Sequence, residues 1–286
     1  MSDLAKTGFQ TEHFFEVQFP KKLLQTAYTG MLPNVGLGVT KLLAAAPITE
    51  ENLYAGWNKL YASSLSLNQF YEVITDVPKT YVAPLNTPAD RLMTAIGDWG
   101  NMQNLLLVAG HVNWVKGKLF SLENPMAQAT LKAAVTAALK GDADAAKKIE
   151  VVLQSVSWHA KPFDMYVRVL TGCLQVFAVF NYMNDAGTAV PWRTAYGQIN
   201  KEIENMDEHM PELKGIKAIF DEFLPAYQDA VAEKAATFVK GVYNYILFNV
   251  PAEKAGLSDH LGKLLWTTGY YAKKASDLKW QKDFTG

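Results

Sequence analysis

Apolar positions recur at three- and four-residue steps through most of the chain, whereas the two-residue alternation of half-buried strands and the Asn-Gly or Asp-Gly turns that join them are not seen. The pattern predicts an all-α fold, an antiparallel helical bundle with additional N- and C-terminal helices. In "ADRLMTAIGDWGNMQNLLLVAGHV", Leu92, Ile96, Trp99, Met102, Leu106 and Ala109 line one side, predicting a helix with Pro88 near its start and Gly110 near its end. Asn124 and Pro125 are placed to open an alanine-rich helix that Gly141 ends, and Asp142 or Asp144 to cap the next, where Ile149, Val152, Leu153 and Val156 share a face. From about Phe163 to Met183 apolar residues occupy nearly every side, so this helix is the expected centre of the bundle, stopped by "NDAG" at Gly187. "VPWRTAYGQINKEIENMDEH" then carries a stripe of Trp192, Tyr196, Ile199 and Ile203 on an otherwise polar helix, expected at the surface.

Outside that centre, the first 50 residues mix glycine and proline with short apolar runs, and Thr49 followed by Glu50 and Glu51 signals a helix start. "PELKGIKAIFDEFLPAYQDAVAEKAATFVKGVYNYILF" reads as one helix kinked at Pro225 or as two. Ser258 or Asp259 caps the last helix. The expected organisation is an N-terminal extension over 1–68, a central bundle over 69–210 and a C-terminal helical extension over 211–286.

Bulk charge favours no class of function. Lys+Arg number 27 and Asp+Glu 28, so no electrostatic bias points to nucleic acid or to an anionic membrane. The helix-compatible run from Val169 to Asn184 is interrupted by Thr171, Gln175 and Asn181. A membrane crossing needs about 20 apolar residues, so no transmembrane segment is expected. "MSDLAKTGFQ" lacks a basic region followed by an apolar one, and the single cysteine excludes an internal disulfide, which makes the cytoplasm the expected location.

Local motifs for chemistry are missing. His13, His111, His159, His209 and His260 have no second ligand at metal-binding spacing, and a ferritin-like Glu-x-x-His would need an acid where Met206 stands. Cys173 sits between Gly172 and Leu174 with no adjacent cation to lower its pKa, so it is expected to be a buried structural thiol. Gly36 and Gly38 in "GLGV" lack the third glycine of a dinucleotide fingerprint. Glu202, Glu204, Asp207 and Glu208 are expected to form a solvated face with ordinary pKa values. No catalytic, cofactor-binding or metal-binding residue is therefore assigned. The last helix combines Trp266, Tyr270, Tyr271 and Trp280 with Lys263, Lys273, Lys274 and Lys279, a mixture enriched at partner contacts and at membrane interfaces, and one that also fits aromatic residues docking the helix on the bundle while the lysines face water. Trp266, Tyr270, Lys273 and Lys274 are the partner-binding candidates, and the same surface is available for self-association.

Several phrases over residues 69–210 resemble the N-terminal helical domain of cyclase-associated protein, the actin-turnover factor. "QFYEVITDVPKTYVAPL" is similar to that family's first bundle helix, and "NMQNLLLVAGH" to its Leu-Leu-x-x-Ala segment. "LQSVSWHAKP" resembles the helix that ends in tryptophan before a proline-bearing turn, and "YVRVLTGCLQVF" the helix after it. "VPWRTAYGQINKEIE" matches a Val-x-Trp-x-x-x-Tyr helix. The anchors are Trp158, Trp192 and Tyr196. The turn is shortened to "HAKP", "AGH" stands where the family has Ala-Ser-Gln, and the family's proline-rich linker and β-rich half have no counterpart. The resemblance implies a six-helix bundle that engages actin or cofilin-bound actin without chemistry of its own. It assigns no actin-contacting residue.

The expected function is thus a non-enzymatic cytoskeletal interaction module. A helical carrier for a lipid or pigment is the alternative, motivated by the 49% hydrophobic content and nine methionines. An enzyme assembled from Tyr, His and Asp on different helices is the third reading.

Overall fold

The computed structural model describes residues 9–13, 15–35, 40–60, 87–98, 101–127, 129, 131–132, 162–249 and 269–280. Among them the order is β1 (Phe9–His13), α1 (Phe19–Thr29), α2 (Glu50–Leu60), α3 (Pro88–Ile96), β2 (Leu105–Ala109), α4 (Gly110–Phe120), α5 (Pro162–Met183), α6 (Ala186–His209) and α7 (Ile216–Asn249), then helical residues 269–274. Among the described residues the fold is mostly all-α, with a two-stranded sheet of β1 and β2 and an isolated antiparallel bridge between Met31 and Leu42.

That sheet corrects the expected helix over 88–110. Thr87 opens α3 with a capping box: its hydroxyl accepts from the Asp90 amide at 3.2 Å, and its own amide donates to the Asp90 carboxylate at 3.1 Å. The helix stops at Ile96 because Gly97 adopts φ +132°, where a Cβ would lie 2.9 Å from Leu105 Cδ2 and 3.1 Å from the Asn104 carbonyl. The apolar run beyond it is five residues of strand, too short for its periodicity to separate strand from helix. Met102, expected on the apolar face, is exposed.

One further boundary differs. Asp185 caps α6 by accepting from the Gly187 amide at 2.8 Å, so "NDAG" starts a helix where a stop at Gly187 was expected. Of the two readings at Pro225, the one-helix alternative holds: α7 runs through the proline, which is exposed. In α5, Cys173, Val176, Val179, Phe180 and Met183 are buried while Leu174 and Asn181 are exposed. The expected all-round burial is therefore one-sided over residues 172–183. The helices expected between Asn124 and Trp158 lie almost wholly outside the described residues.

Chain contacts group the described residues into two compact units. One draws on Ala109–Tyr182 and Val231–Lys279, the other on Gln10–Val108, Met183–Ala230 and Trp280. The second has an aromatic centre. Phe15 stacks on Trp192 at 4.5 Å, Trp192 on Trp280 at 6.3 Å, and Phe19 meets Phe220 and Phe223, each at 5.7 Å. The Trp280 indole donates to the Gln228 carbonyl at 2.7 Å. Glu222 ties the N-terminal loop to α7, accepting from the Ala44 and Ala45 amides at 2.8 and 2.7 Å. Cys173, Val176, Val239, Val242 and Ile246 are buried in the first unit.

Gly97→Ala should lower stability by about 1–3 kcal/mol, through positive φ and the clash with Leu105. Gly117→Ala in α4, with nothing within 4 Å of the added carbon, should raise it by about 0.5–1 kcal/mol. Urea unfolding followed by circular dichroism distinguishes the two, and equal effects would refute this account of the α3 stop.

Candidate functional site

The strongest concentration of buried polar chemistry is where α3 meets α6. Arg91, in the first turns of α3, donates from Nε to Glu202 Oε2 at 3.1 Å, and both side chains are only 1% exposed. One turn earlier on α6, the Gln198 Oε1 atom accepts from Asn101 Nδ2 at 2.8 Å and from Asn104 Nδ2 at 2.6 Å. The same two asparagine amides donate to Thr94 and Ala95 carbonyls, at 2.9 and 2.6 Å. They thereby occupy carbonyls that the end of α3 would otherwise leave without partners. Asp98 completes the turn, accepting from the Thr94 hydroxyl at 2.7 Å and the Asn101 amide at 3.0 Å.

This corrects the expectation of a solvated acidic face. Glu202 is enclosed, Glu204 and Asp207 are half-buried, and Glu208 alone of the four is exposed. Asp207 caps the chain entering α7, accepting from the Gly215 amide at 2.6 Å, the Lys217 amide at 3.3 Å and the Lys214 ammonium at 2.6 Å. Burial works against its charge, but these donors hold it below the usual carboxylate range. Glu204 is lowered too: burial opposes this, and Lys201, Asn200 and Lys217 outweigh it.

At Glu202 burial prevails. It pushes the carboxyl up from 4.5 to about 7, against the opposing pull of Arg91 and Asn205. Burial likewise lowers Arg91 from the ordinary guanidinium value, with Glu202 drawing it back. These groups are turned towards each other and towards helix-end carbonyls. Their evident role is to position α3 on α6.

The pair was not foreseen because its members are 111 residues apart. A signal exists nonetheless. Gln198, Glu202 and Asn205 follow four- and three-residue steps beside the Ile199–Ile203 stripe, so one polar face of α6 adjoins its apolar one.

The partner-binding candidates fall differently. Trp266 lies outside the described residues. Tyr270 is 48% exposed and Lys273 and Lys274 are exposed, sharing one helical face by their spacing. Tyr271 turns inward against Phe177 at 4.9 Å, and Ala272, Ala275 and Leu278 are buried beside it. Tyr270 meets Tyr271 edge-on at 5.4 Å, and Lys274 reaches Asp277 at 3.5 Å. Trp280, grouped with them in the sequence, belongs to the aromatic core.

Cys173 is buried, and burial raises its thiol to about 12, which keeps it unreactive at neutral pH. Among the described residues no group of three His, Cys, Asp or Glu side chains is arranged to hold a metal. Nor is any described helix long and apolar enough to cross a membrane. The methionines invoked for a carrier are dispersed: Met126, Met183, Met206 and Met210 are buried, while Met31, Met93 and Met102 are exposed. Comparison of the chain with protein-family models, with curated proteins and with solved structures finds no match.

Arg91→Met should cost about 3–5 kcal/mol at pH 8, because Glu202 is left buried without a counter-charge. Adding Glu202→Leu should recover most of that loss. Chemical denaturation of the two variants checks this, and an additive second loss would contradict it. The pH dependence follows from the raised carboxyl. The folded state holds a proton that the unfolded chain releases from about pH 4.5, so this contribution to stability falls as pH rises to about 7. Relative to wild type, Glu202→Gln should therefore be more favourable at pH 8 than at pH 5, by on the order of 2–3 kcal/mol. Identical pH profiles would show that Glu202 is ionised throughout.

Proposed function

We propose that this chain is a non-enzymatic helical interaction module that binds actin or cofilin-bound actin and supports filament turnover. The observation that carries the reading is the exposed face of Tyr270, Lys273 and Lys274, seated on buried Ala272, Ala275 and Leu278. A half-exposed aromatic ring beside two ammonium groups on a docked helix suits a protein surface that presents carboxylates. The buried ionic chemistry at Arg91 and Glu202 is spent on joining two helices. It needs no substrate to explain it.

The choice of actin as partner rests on the resemblance across residues 69–210. Within the described part of that stretch, Trp192 stacks on Phe15 and Trp280, and Tyr196 stacks on Phe220 at 6.2 Å. Both anchors thus support the core and leave the contact to other residues. Trp158, the third, lies outside the described residues.

Co-sedimentation of the full chain with actin filaments, bare and cofilin-saturated, tests the proposal. Binding in the micromolar range is expected. The double substitution Lys273→Glu, Lys274→Glu should weaken it at least about tenfold, and wild-type binding should weaken with added salt. No wild-type binding at tens of micromolar filament would reject the reading.

A further inference from the structure

The junction of α3 and α6 encloses polar atoms that its own hydrogen bonds do not satisfy. Asn205 is buried on α6, three residues after Glu202, and neither its Oδ1 nor its Nδ2 atom has a hydrogen-bond partner. Glu202 Oε1 is without one too, although Oε2 of the same carboxylate takes the Arg91 Nε–H at 3.1 Å. Asn205 lies near enough to draw the Glu202 carboxyl down, yet outside the geometry of a direct hydrogen bond. The Oδ1 atoms of Asn101 and Asn104, whose amides meet Gln198 one turn earlier on α6, are also buried acceptors without donors.

Turning the amides over does not resolve this. Asn101 Nδ2 already donates to the Thr94 carbonyl at 2.9 Å and to Gln198 Oε1 at 2.8 Å, and Asn104 Nδ2 donates to the Ala95 carbonyl and to Gln198 Oε1, each at 2.6 Å. Exchanging oxygen and nitrogen in either side chain would set an oxygen against two acceptors and break both bonds. The unmet groups on Asn101, Asn104, Glu202 and Asn205 are thus four acceptor oxygens and one amino group, that of Asn205. Buried polar groups in folded proteins are paired with protein atoms or with ordered water, because an unmet one costs about as much as a lost hydrogen bond.

The chemistry of the enclosure selects its occupant. A cation would sit beside the Arg91 guanidinium, which shares the Glu202 carboxylate, and would be repelled. An anion would meet only acceptor oxygens and one amino group. A bulky polar molecule is disfavoured by the burial of Arg91, Asn101, Asn104, Glu202 and Asn205, each at most 2% exposed. Water is small and neutral, and it both donates and accepts, so it can serve Glu202 as a carboxylate or as an acid. We infer that ordered water is built into the α3–α6 junction, bridging Glu202 Oε1 to the Asn205 amide and donating to the Asn101 and Asn104 oxygens. The contact between the two helices is then partly water-mediated, and the inference stands apart from the actin reading.

Nuclear magnetic resonance of the full chain with isotope-labelled asparagine tests this through cross-relaxation between solvent and the side-chain amides. In the wild type the Asn205 amide should show a cross-peak to water with the sign of a long-lived contact. Solvent-oxygen relaxation dispersion gives a second reading. Asn205→Leu, which fills the site with an apolar side chain, should lose the amplitude of one or more long-lived waters, whereas Asn244→Leu, at an exposed position on α7, should match the wild type. An Asn205 amide without a solvent cross-peak in the wild type would overturn the inference, whether or not Asn205→Leu folds. An unchanged dispersion amplitude in folded Asn205→Leu would overturn it as well.

Discussion

The described structure depends most on one ion pair that water cannot reach. Arg91 and Glu202 are each 1% exposed, and in any other register of α3 on α6 one or both charges would be buried without a partner. That penalty is several kcal/mol, large against the whole stability of a domain. The pair itself gains little, because the desolvation that pushes Glu202 up to about 7 offsets much of the attraction. Its contribution lies in where it puts the helices. The amide cluster of Gln198, Asn101 and Asn104 extends this constraint, because both asparagines must reach Gln198 and the end of α3 together.

A second consequence concerns function. The residues with the most distinctive chemistry are enclosed, whereas Tyr270, Lys273 and Lys274 of the helical segment 269–274 meet solvent. This division suits the proposed binding role, since a rigid interior lets a few exposed anchors act without the cost of ordering them at contact.

The helical character was legible because apolar residues recur at helical steps over long stretches, and signals such as Pro88 and Thr49 with Glu50 and Glu51 are local. What failed was also local in cause. Leu105–Ala109 is too short to reveal its period, and Asp185 competes with Gly187 for the meaning of "NDAG". The Arg91–Glu202 pair failed for a different reason: a partner 111 residues away leaves no mark on either neighbourhood, so Glu202 read as one more acid on a polar helix. Tyr270, Lys273 and Lys274 were readable because exposure and spacing on one short helix follow from sequence.

Hydrogen–deuterium exchange of the full chain with and without cofilin-bound actin measures this division directly. Added protection should appear over residues 269–274, while residues 88–98, 101–104 and 198–205 exchange as slowly free as bound. Protection gained at the α3–α6 junction, with none on the C-terminal face, would contradict the account by placing the contact where the structure puts its scaffold.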